Sequence, residues 1–256
     1  MILILSPTKI FRTYQKEELL AYKPLKFREQ THQLVERLKQ YTREEIASLM
    51  KVSDEIASSN YERFQAFDEK EQKGYYAADY FYGEAFKGLE APTLSQEGRV
   101  YMEKHLKILS GLYGLLDAKD IMVPYRLEMG TKFSKEKGDH LYAVWKSLLT
   151  EEIKLLLEHA EGEKVLINLA SEEYTKALDL KEVAKSFPII TLHFKVKKGD
   201  EYKVVGMYAK KARGMMTRYI CENKIQNIQD IKSFQEDDYQ YDEQLSTSTD
   251  WVFVKK

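Results

Sequence analysis

Short apolar runs with little polar alternation mark the strands that the sequence predicts. Strands that are buried on both faces of a sheet read as continuous apolar runs, because neither face meets solvent. The pattern predicts five strands, which are Ile2–Leu5, Val165–Ala170, Ile189–Val196, Tyr202–Tyr208 and Trp251–Val254. Strands of this kind require other elements that cover both faces of the sheet.

Apolar residues at helical spacing predict that cover. The predicted helices are Gln30–Gln40, Arg43–Met50, Asp54–Phe67, Gly98–Ser110, His140–Glu158 and Lys210–Lys224. Strands mixed with helices indicate a mixed α/β fold with a central mixed sheet and helical cover. We expect a single compact domain over residues 1–256, with a helix-rich insertion at roughly residues 30–158.

The apolar runs are too short for a membrane-spanning protein, and the cysteine count indicates a reducing compartment. No apolar run approaches the ~18 residues of a transmembrane helix, and the apolar start of the chain lacks the basic and long apolar regions of a signal peptide. The single cysteine, Cys221, excludes an internal disulfide and is typical of a reducing compartment. We therefore expect a cytoplasmic protein without membrane contact.

The net charge of −1 conceals a strong local segregation of charge. Residues 203–224 contain six basic residues and one acidic residue, whereas residues 235–250 contain six acidic residues and no basic ones. Each run has two interpretations, a solvated face or a patch that acts locally, because exposed charges are screened within about 10 Å. A basic patch of the second kind would bind phosphate groups.

The basic run includes a predicted helix that could hold an anion. In a helix that begins at Lys210, this residue shares a face with Arg213, and Lys211 flanks Gly214. Glycine inside a helix costs about 1 kcal/mol relative to alanine. We therefore expect Gly214 to let an anion approach the backbone between basic side chains, with Tyr208 lining the same site.

Polar side chains follow or end two of the predicted strands. Ser6 and Lys9 come directly after the first strand, whereas Asn168 lies in the second strand and Ser171 follows it. Open α/β sheets bind ligands outside the carboxyl ends of their strands, so these groups could hold a phosphate. The alternatives are structural: the first strand leaves the core through a proline turn, and Ser171 caps a helix.

The stretch LSGLYGLLDAKDIMVPYRLEMG, residues 109–130, predicts one wall of a site. Its glycines, Gly111 and Gly114, are spaced too far apart for their amides to be assumed to converge on one phosphate. After the proline, Tyr125 is followed by Arg126 and Glu128, which alternate to one side of an extended chain. We expect this pair to orient a side chain at the site.

Residues 44–64 resemble a helix-hairpin-helix, a motif that holds duplex DNA by its phosphates. Two short helices are joined near Lys51, and Ser53 is placed to cap the second helix. Lys51 and Ser53 occupy the positions where the motif usually has glycines, and Asp54 and Glu55 would repel a phosphate. A plain helix pair is therefore the alternative interpretation.

The sequence contains no recognisable catalytic or metal-binding motif. Its five histidines show no metal-ligand spacing, and there is neither a phosphate-binding G-x-x-x-x-G-K-[ST] loop nor a G-x-S-x-G nucleophile elbow. We therefore expect no metal and no cofactor, and no enzymatic activity is indicated by a motif.

Taken together and in order, five blocks of the chain resemble the bacterial YaaA peroxide-stress family. They are ILILSPTK, LMKVSDEIA, HLKILSGLYGLLDAKDIMVPYRLEMG, INLASEEYTKAL and MYAKKARGMMTRYICEN. The resemblance spans Met1 to Lys256 and implies a cytoplasmic protein with a mixed α/β fold peculiar to the family. It also implies that the protein binds duplex DNA through a positive cleft containing a helix-hairpin-helix, placed at residues 44–64, and limits iron-driven oxidative damage under hydrogen peroxide.

Two functions therefore remain open from the sequence. A DNA-binding stress protein, without an obligate protein partner, would use basic and hydroxyl groups on phosphates: Ser6, Lys9, Lys51, Ser53, Arg126, Lys210, Lys211 and Arg213. An enzyme for a small phosphorylated or nucleotide-like compound would instead enclose a polar pocket. The residues expected to line that pocket are Tyr125, Glu128, Asn168, Ser171 and Tyr208.

Overall fold

A mixed sheet of eight strands forms the centre of the fold. The computed structural model of the chain describes residues 1–14, 20–21, 24–68, 73–134 and 139–256. The strands of the central sheet are β1 (Ile2–Leu5), β4 (Leu106–Ser110), β5 (Gly114–Asp117), β7 (Leu166–Leu169), β8 (Ile189–Lys198), β9 (Glu201–Lys203), β10 (Tyr239–Asp242) and β11 (Asp250–Lys255). A second, three-stranded sheet contains β2 (Leu20–Ala21), β3 (Lys73–Tyr76) and β6 (Ile121–Met122).

The strand order makes β1 the switch point of the central sheet. The order is β10-β11-β8-β7-β1-β4-β5, with β9 paired to β8. Strands β4, β1, β7, β8 and β11 are parallel, so their carboxyl ends lie at one edge of the sheet. From β1 the chain goes to β4 on one side and returns to β7 on the other side. Ligands of open α/β sheets bind at such reversals.

Ten α-helices among the described residues pack around the two sheets. They are α1 (Arg28–Lys39), α2 (Arg43–Met50), α3 (Asp54–Gln65), α4 (Ala77–Tyr80), α5 (Glu84–Leu89), α6 (Gln96–His105), α7 (Leu141–Glu158), α8 (Glu172–Thr175), α9 (Leu180–Ala184) and α10 (Gly206–Glu222). Short 3-10 helices follow at Ala91–Thr93, Ile228–Ser233 and Glu236–Asp238. The mixed α/β fold with a central mixed sheet is thus confirmed.

Two predicted elements are wrong in part. The helix predicted over Gly98–Ser110 ends at His105, and the residues beyond it form β4. Parallel pairing with β1 overrides the helical spacing there, because every residue of β4 is buried. The strand predicted over Tyr202–Tyr208 stops at Lys203, and α10 begins at Gly206. The apolar side chains that suggested a strand, Val204 and Tyr208, are exposed to solvent.

The core lies on both faces of the central sheet. Every residue of β1 and β7 is buried, as the absence of polar alternation predicts. On one face the fully buried Trp145 of α7 donates its indole N–H to the Gly111 carbonyl at 2.9 Å and packs on Gly114, whose φ is +71°.

Among the described residues, no helix combines the length and apolarity needed to cross a bilayer.

The expectation that Gly214 admits an anion is wrong. A Cβ at Gly214 would lie 1.7 Å from the Ala85 carbonyl oxygen of α5, and a Cβ at Gly88 would lie 2.3 Å from the Lys211 carbonyl oxygen of α10. The backbone of α5 therefore fills the space that an anion would need. Both glycines allow two helices to pack in close contact.

Candidate functional site

The carboxyl ends of β1 and β7 are joined by two serines. The Ser171 backbone N–H donates to Ser6 Oγ at 2.8 Å, and Ser6 Oγ donates to Ser171 Oγ at 3.2 Å. Ser171 occupies the N-cap position of α8, as predicted, but its side chain makes no hydrogen bond to the first turn of that helix. Its hydroxyl instead pairs with the strand end across the switch point.

Asn168 is buried in β7 and has partners for its amide. Its Nδ2 donates to Thr191 Oγ1 at 3.3 Å, and its Oδ1 accepts from the Ala170 backbone N–H at 3.0 Å. A buried amide needs such partners, because an unpaired polar group loses its hydration without compensation. Asn168 therefore fixes the path of the chain where β7 ends.

An ion cluster lies next to these strand ends. The Glu128 carboxylate pairs with the Lys9 ammonium, and its Oε1 also accepts from Arg126 Nη2 at 3.3 Å. Arg126 is the more enclosed cation, with 21% of its side chain exposed against 50% for Lys9. The Arg126 Nε is buried and has no hydrogen-bond partner among the described residues. Arg126 and Glu128 thus lie close enough to contact each other, as their alternation along an extended chain allows.

Two buried hydroxyl groups lie close to the ion cluster in the chain or at a neighbouring strand end, Tyr125 directly before Arg126 and Ser110 at the end of β4. The Tyr125 and Ser110 oxygens are 2.6 Å apart, and Ser110 Oγ also accepts from the Tyr113 backbone N–H at 2.9 Å. Burial raises the pKa of Tyr125 above its ordinary value. A Cβ at Gly111 would lie 2.2 Å from the Leu127 carbonyl oxygen, so the β4–β5 hairpin packs directly on the segment that carries Arg126.

Two hydroxyl groups of this region were not predicted as site residues. Ser110 ends β4, and its position becomes visible only once β4 is recognised as a strand. Tyr174 lies on α8, where burial, reinforced by Tyr125 and Glu173, raises its pKa well above the ordinary value. Its place directly after the Ser171 strand end was the signal available in the sequence.

An open cleft of about 1020 Å³ adjoins the ion cluster. One wall comes from α2 and its flanks, and the other comes from residues 128–134 and 139–140. Its lining residues are Tyr41, Glu45, Ser48, Leu49, Met50, Lys51, Glu128, Gly130, Thr131, Lys132, Phe133, Ser134, Asp139 and His140. Glu128 belongs to both the cleft and the ion cluster, so the two regions are continuous.

The α2–α3 pair exists as two helices, but its identity as a helix-hairpin-helix is not confirmed. Thr42 and Glu45 cap α2 reciprocally, and Lys51 ends it in the left-handed conformation with φ of 53°. Ser53 occupies the N-cap position of α3, as predicted, but its side chain makes no cap hydrogen bond. Its hydroxyl is left exposed beside the first turn of α3.

The predicted residues of α10 form a separate group. Tyr208, Lys210 and Lys211 are exposed, whereas Arg213 is half-buried. The Arg213 Nε is buried without a partner among the described residues, and burial lowers the pKa of this guanidinium. Within the described ranges, no hydrogen bond or ion pair joins α10 to the ion cluster at Glu128.

The described residues contain no cluster of metal-ligating side chains. Over the part of the chain that the structure describes, no group of three or more His, Cys, Asp or Glu side chains is arranged to hold a metal ion. His140, which borders the cleft, accepts the Ala143 backbone N–H with its Nδ1 at 3.1 Å and so caps α7.

Comparison with known proteins places the chain in a family. The family model described as peroxide stress protein YaaA matches residues 1–245. The chain is 40% identical over 257 residues to a UPF0246 protein of Caulobacter vibrioides, covering 100% of this chain and 99% of that one. It is 40% identical over 258 residues to a UPF0246 protein of Shewanella woodyi, covering 100% of both chains. It is 41% identical over 260 residues to a UPF0246 protein of Psychromonas ingrahamii, covering 100% of this chain and 99% of that one. The chain belongs to the peroxide stress protein YaaA family.

Proposed function

We propose that this protein binds duplex DNA without base specificity in the cleft that α2 forms with residues 128–134 and 139–140. By this binding it limits iron-driven oxidative damage under hydrogen peroxide in the cytoplasm. The observation that carries the proposal is the open cleft of about 1020 Å³, which has the end of α2 as one wall. The peroxide-stress description of the family supports the cellular setting.

The α2–α3 connection offers the backbone groups that a phosphate needs. Lys51 lines the cleft, and α3 begins three residues later at Asp54. The first amides of a helix have no partner within the helix, and together with the helix dipole they attract anions. Because Ser53 does not cap α3 with its side chain, these amides stay available for a phosphate oxygen.

Ion pairs compensate two of the three carboxylates that line the cleft. Glu128 pairs with two cations, and Asp139 accepts from Arg37 at 2.6 and 2.8 Å, whereas Glu45 accepts from the Thr42 backbone N–H and keeps its charge. Lys51 and Lys132 are exposed on opposite walls. Ammonium groups in this position contact phosphates without reading bases.

Variants on the two sides of the α2–α3 connection test the proposal. Lys51→Ala is expected to weaken binding of a short duplex about five- to tenfold, since one charged phosphate contact is lost. Asp54→Asn combined with Glu55→Gln is expected to tighten binding by a similar factor, because two charges that repel phosphate from the start of α3 are removed. Fluorescence anisotropy with two duplexes of unrelated sequence measures both changes.

The matched control is Lys104→Ala. Lys104 is an exposed lysine of α6 that pairs with Glu161 at 3.5 Å and borders a different cavity. The Lys104→Ala substitution removes the same charge as Lys51→Ala and should leave the affinity for the duplex unchanged. Equal losses in Lys51→Ala and Lys104→Ala would show that the binding is non-specific attraction to the whole surface, and the proposed cleft would be rejected.

A second candidate is an enzyme that acts on a small phosphorylated or nucleotide-like compound. The observation that favours it is the gathering of Ser6, Ser171, Ser110 and Tyr125 at the carboxyl ends of β1, β7 and β4, next to the switch point. Turnover of such a compound, lost on changes at the strand ends and kept in Lys51→Ala, would favour the enzyme over the DNA-binding protein.

A further inference from the structure

We propose that Arg126 and Lys9 form a binding site for a phosphoryl group, and that Glu128 occupies this site when no ligand is bound. The inference goes beyond the proposed function, because it concerns the switch point of the sheet and not the α2 wall of the cleft. In this proposal Glu128 is an internal competitor, so the affinity for phosphate is set by how easily its carboxylate is displaced.

The geometry of Arg126 shows that its pairing with Glu128 is incomplete. The Nε and Nη2 atoms of a guanidinium lie on the same edge, and this edge normally holds two oxygens of one anion. Glu128 contacts only Nη2, at 3.3 Å, and the buried Nε has no partner among the described residues. Half of a bidentate anion site is therefore unused.

The charges of the ion cluster match an anion better than they match Glu128 alone. One carboxylate oxygen, Oε1, serves both the Lys9 ammonium and the Arg126 guanidinium, so the cluster keeps one net positive charge. A phosphoryl group offers three oxygens and up to two negative charges. It can engage both atoms of the Arg126 edge and still leave an oxygen for Lys9.

The position in the fold agrees with a ligand site. Lys9 belongs to the segment that leaves β1, the strand at which the sheet order reverses. Arg126 lies on the segment that packs against the β4–β5 hairpin through Gly111. Glu128 also lines the 1020 Å³ cleft, so a ligand reaches the ion cluster from solvent through that cleft.

Two substitutions at the ion cluster test the competition. Glu128→Gln keeps the size of the side chain but removes its charge, and it is expected to bind phosphate about tenfold more tightly than the unchanged protein. Arg126→Lys keeps the charge but loses the two-pronged edge, and it is expected to bind about tenfold more weakly. Calorimetric titration of the full chain with inorganic phosphate and with AMP measures both changes.

The controls separate this site from the DNA cleft and from misfolding. Lys51→Ala should bind phosphate and AMP as the unchanged protein does, and thermal melts establish that each variant is folded. Titration with a short duplex identifies the source of the phosphoryl group. The expected order of affinities is Glu128→Gln, then the unchanged protein, then Arg126→Lys. This order for AMP or phosphate supports a small ligand. The same order for the duplex alone shows that the phosphoryl group belongs to DNA.

Two results would overturn the inference. Absence of saturable binding of phosphate and AMP to folded Glu128→Gln, with the duplex bound no more tightly than by the unchanged protein, would remove the site. Equal affinities of Arg126→Lys and the unchanged protein would remove the role of the guanidinium edge. Either result leaves the proposed DNA binding intact, because that proposal depends on Lys51 and the start of α3.

Discussion

Asp120, in the turn between β5 and β6, has a carboxylate whose environment disfavours its charge. Burial, with the nearby Asp117 adding to it, raises the pKa of Asp120 from an ordinary 3.8 to about 6, although its Oδ2 accepts from the Asp117 backbone N–H at 2.7 Å. A carboxylate with a raised folded-state pKa stabilises the fold most below its unfolded pKa. That contribution is lost as the pH rises from about 4 through about 6.

Asp120→Asn is therefore expected to stabilise the protein at neutral pH. The amide oxygen can still accept from Asp117, and no charge has to be buried. The free energy of unfolding should exceed that of the unchanged protein by about 2–3 kcal/mol at pH 7, and the difference should vanish near pH 4. Urea denaturation across this pH range measures it, with Glu158→Gln on the exposed side of α7 as control. Parallel pH profiles for Asp120→Asn and the unchanged protein would contradict the prediction.

At the scale of single residues, the sequence shows which side chains need a partner but not which partner they find. The need for a partner at Asn168 follows from its place in an apolar strand, and Thr191 on the adjacent strand meets it. Ser171 occupies the predicted N-cap position, but its hydroxyl pairs with Ser6, which lies 165 residues earlier in the chain. A contact of that kind depends on the strand order, which no local pattern contains.

At the scale of elements, the contact between α5 and α10 depends on glycine. Gly214→Ala is expected to lower the free energy of unfolding by about 1–3 kcal/mol, even though alanine favours a helix by about 1 kcal/mol over glycine. The reason is that the added Cβ would lie 1.7 Å from the Ala85 carbonyl oxygen, so the two helices must move apart.

Gly206→Ala, in the same helix, is the matched control for this substitution. A Cβ at Gly206 meets no heavy atom within 4 Å, so only the helix preference changes. Urea denaturation of both variants should therefore show a loss of stability for Gly214→Ala alone. If Gly214→Ala were as stable as Gly206→Ala, the close packing of α5 on α10 would not contribute to stability.

Some element boundaries follow from the local spacing of apolar residues, whereas others depend on contacts with distant parts of the chain. The helices α2, α3 and α7 lie close to their predicted ranges, because their apolar spacing agrees with the face that they bury. The boundary between α6 and β4 was missed, because HLKILS suits either structure and the parallel pairing with β1 decides between them. Spacing alone therefore predicts long amphipathic helices better than buried strands.

At the scale of the whole molecule, the sequence predicts the class of fold but not which strand ends lie side by side. Ser6, Arg126 and Ser171 are far apart in the chain, and the switch point at β1 brings their segments to one edge of the sheet. The net charge of −1 gives no sign of a phosphate-binding surface. A surface of that kind arises from where the charges lie and which of them are already paired.

The salt dependence of DNA binding tests that distribution of charge. Binding through phosphates releases counterions, so log K should fall by about 0.9 per phosphate for each unit of log salt concentration. Three to five contacts predict a slope of roughly −3 to −4.5. Changing the exposed Lys51 and Lys132 of the cleft together to Ala should flatten this slope by about 1.8. The change should be equal on two unrelated duplexes, because phosphates carry no base information. A slope near zero in the unchanged protein would instead exclude phosphate contacts as the source of affinity.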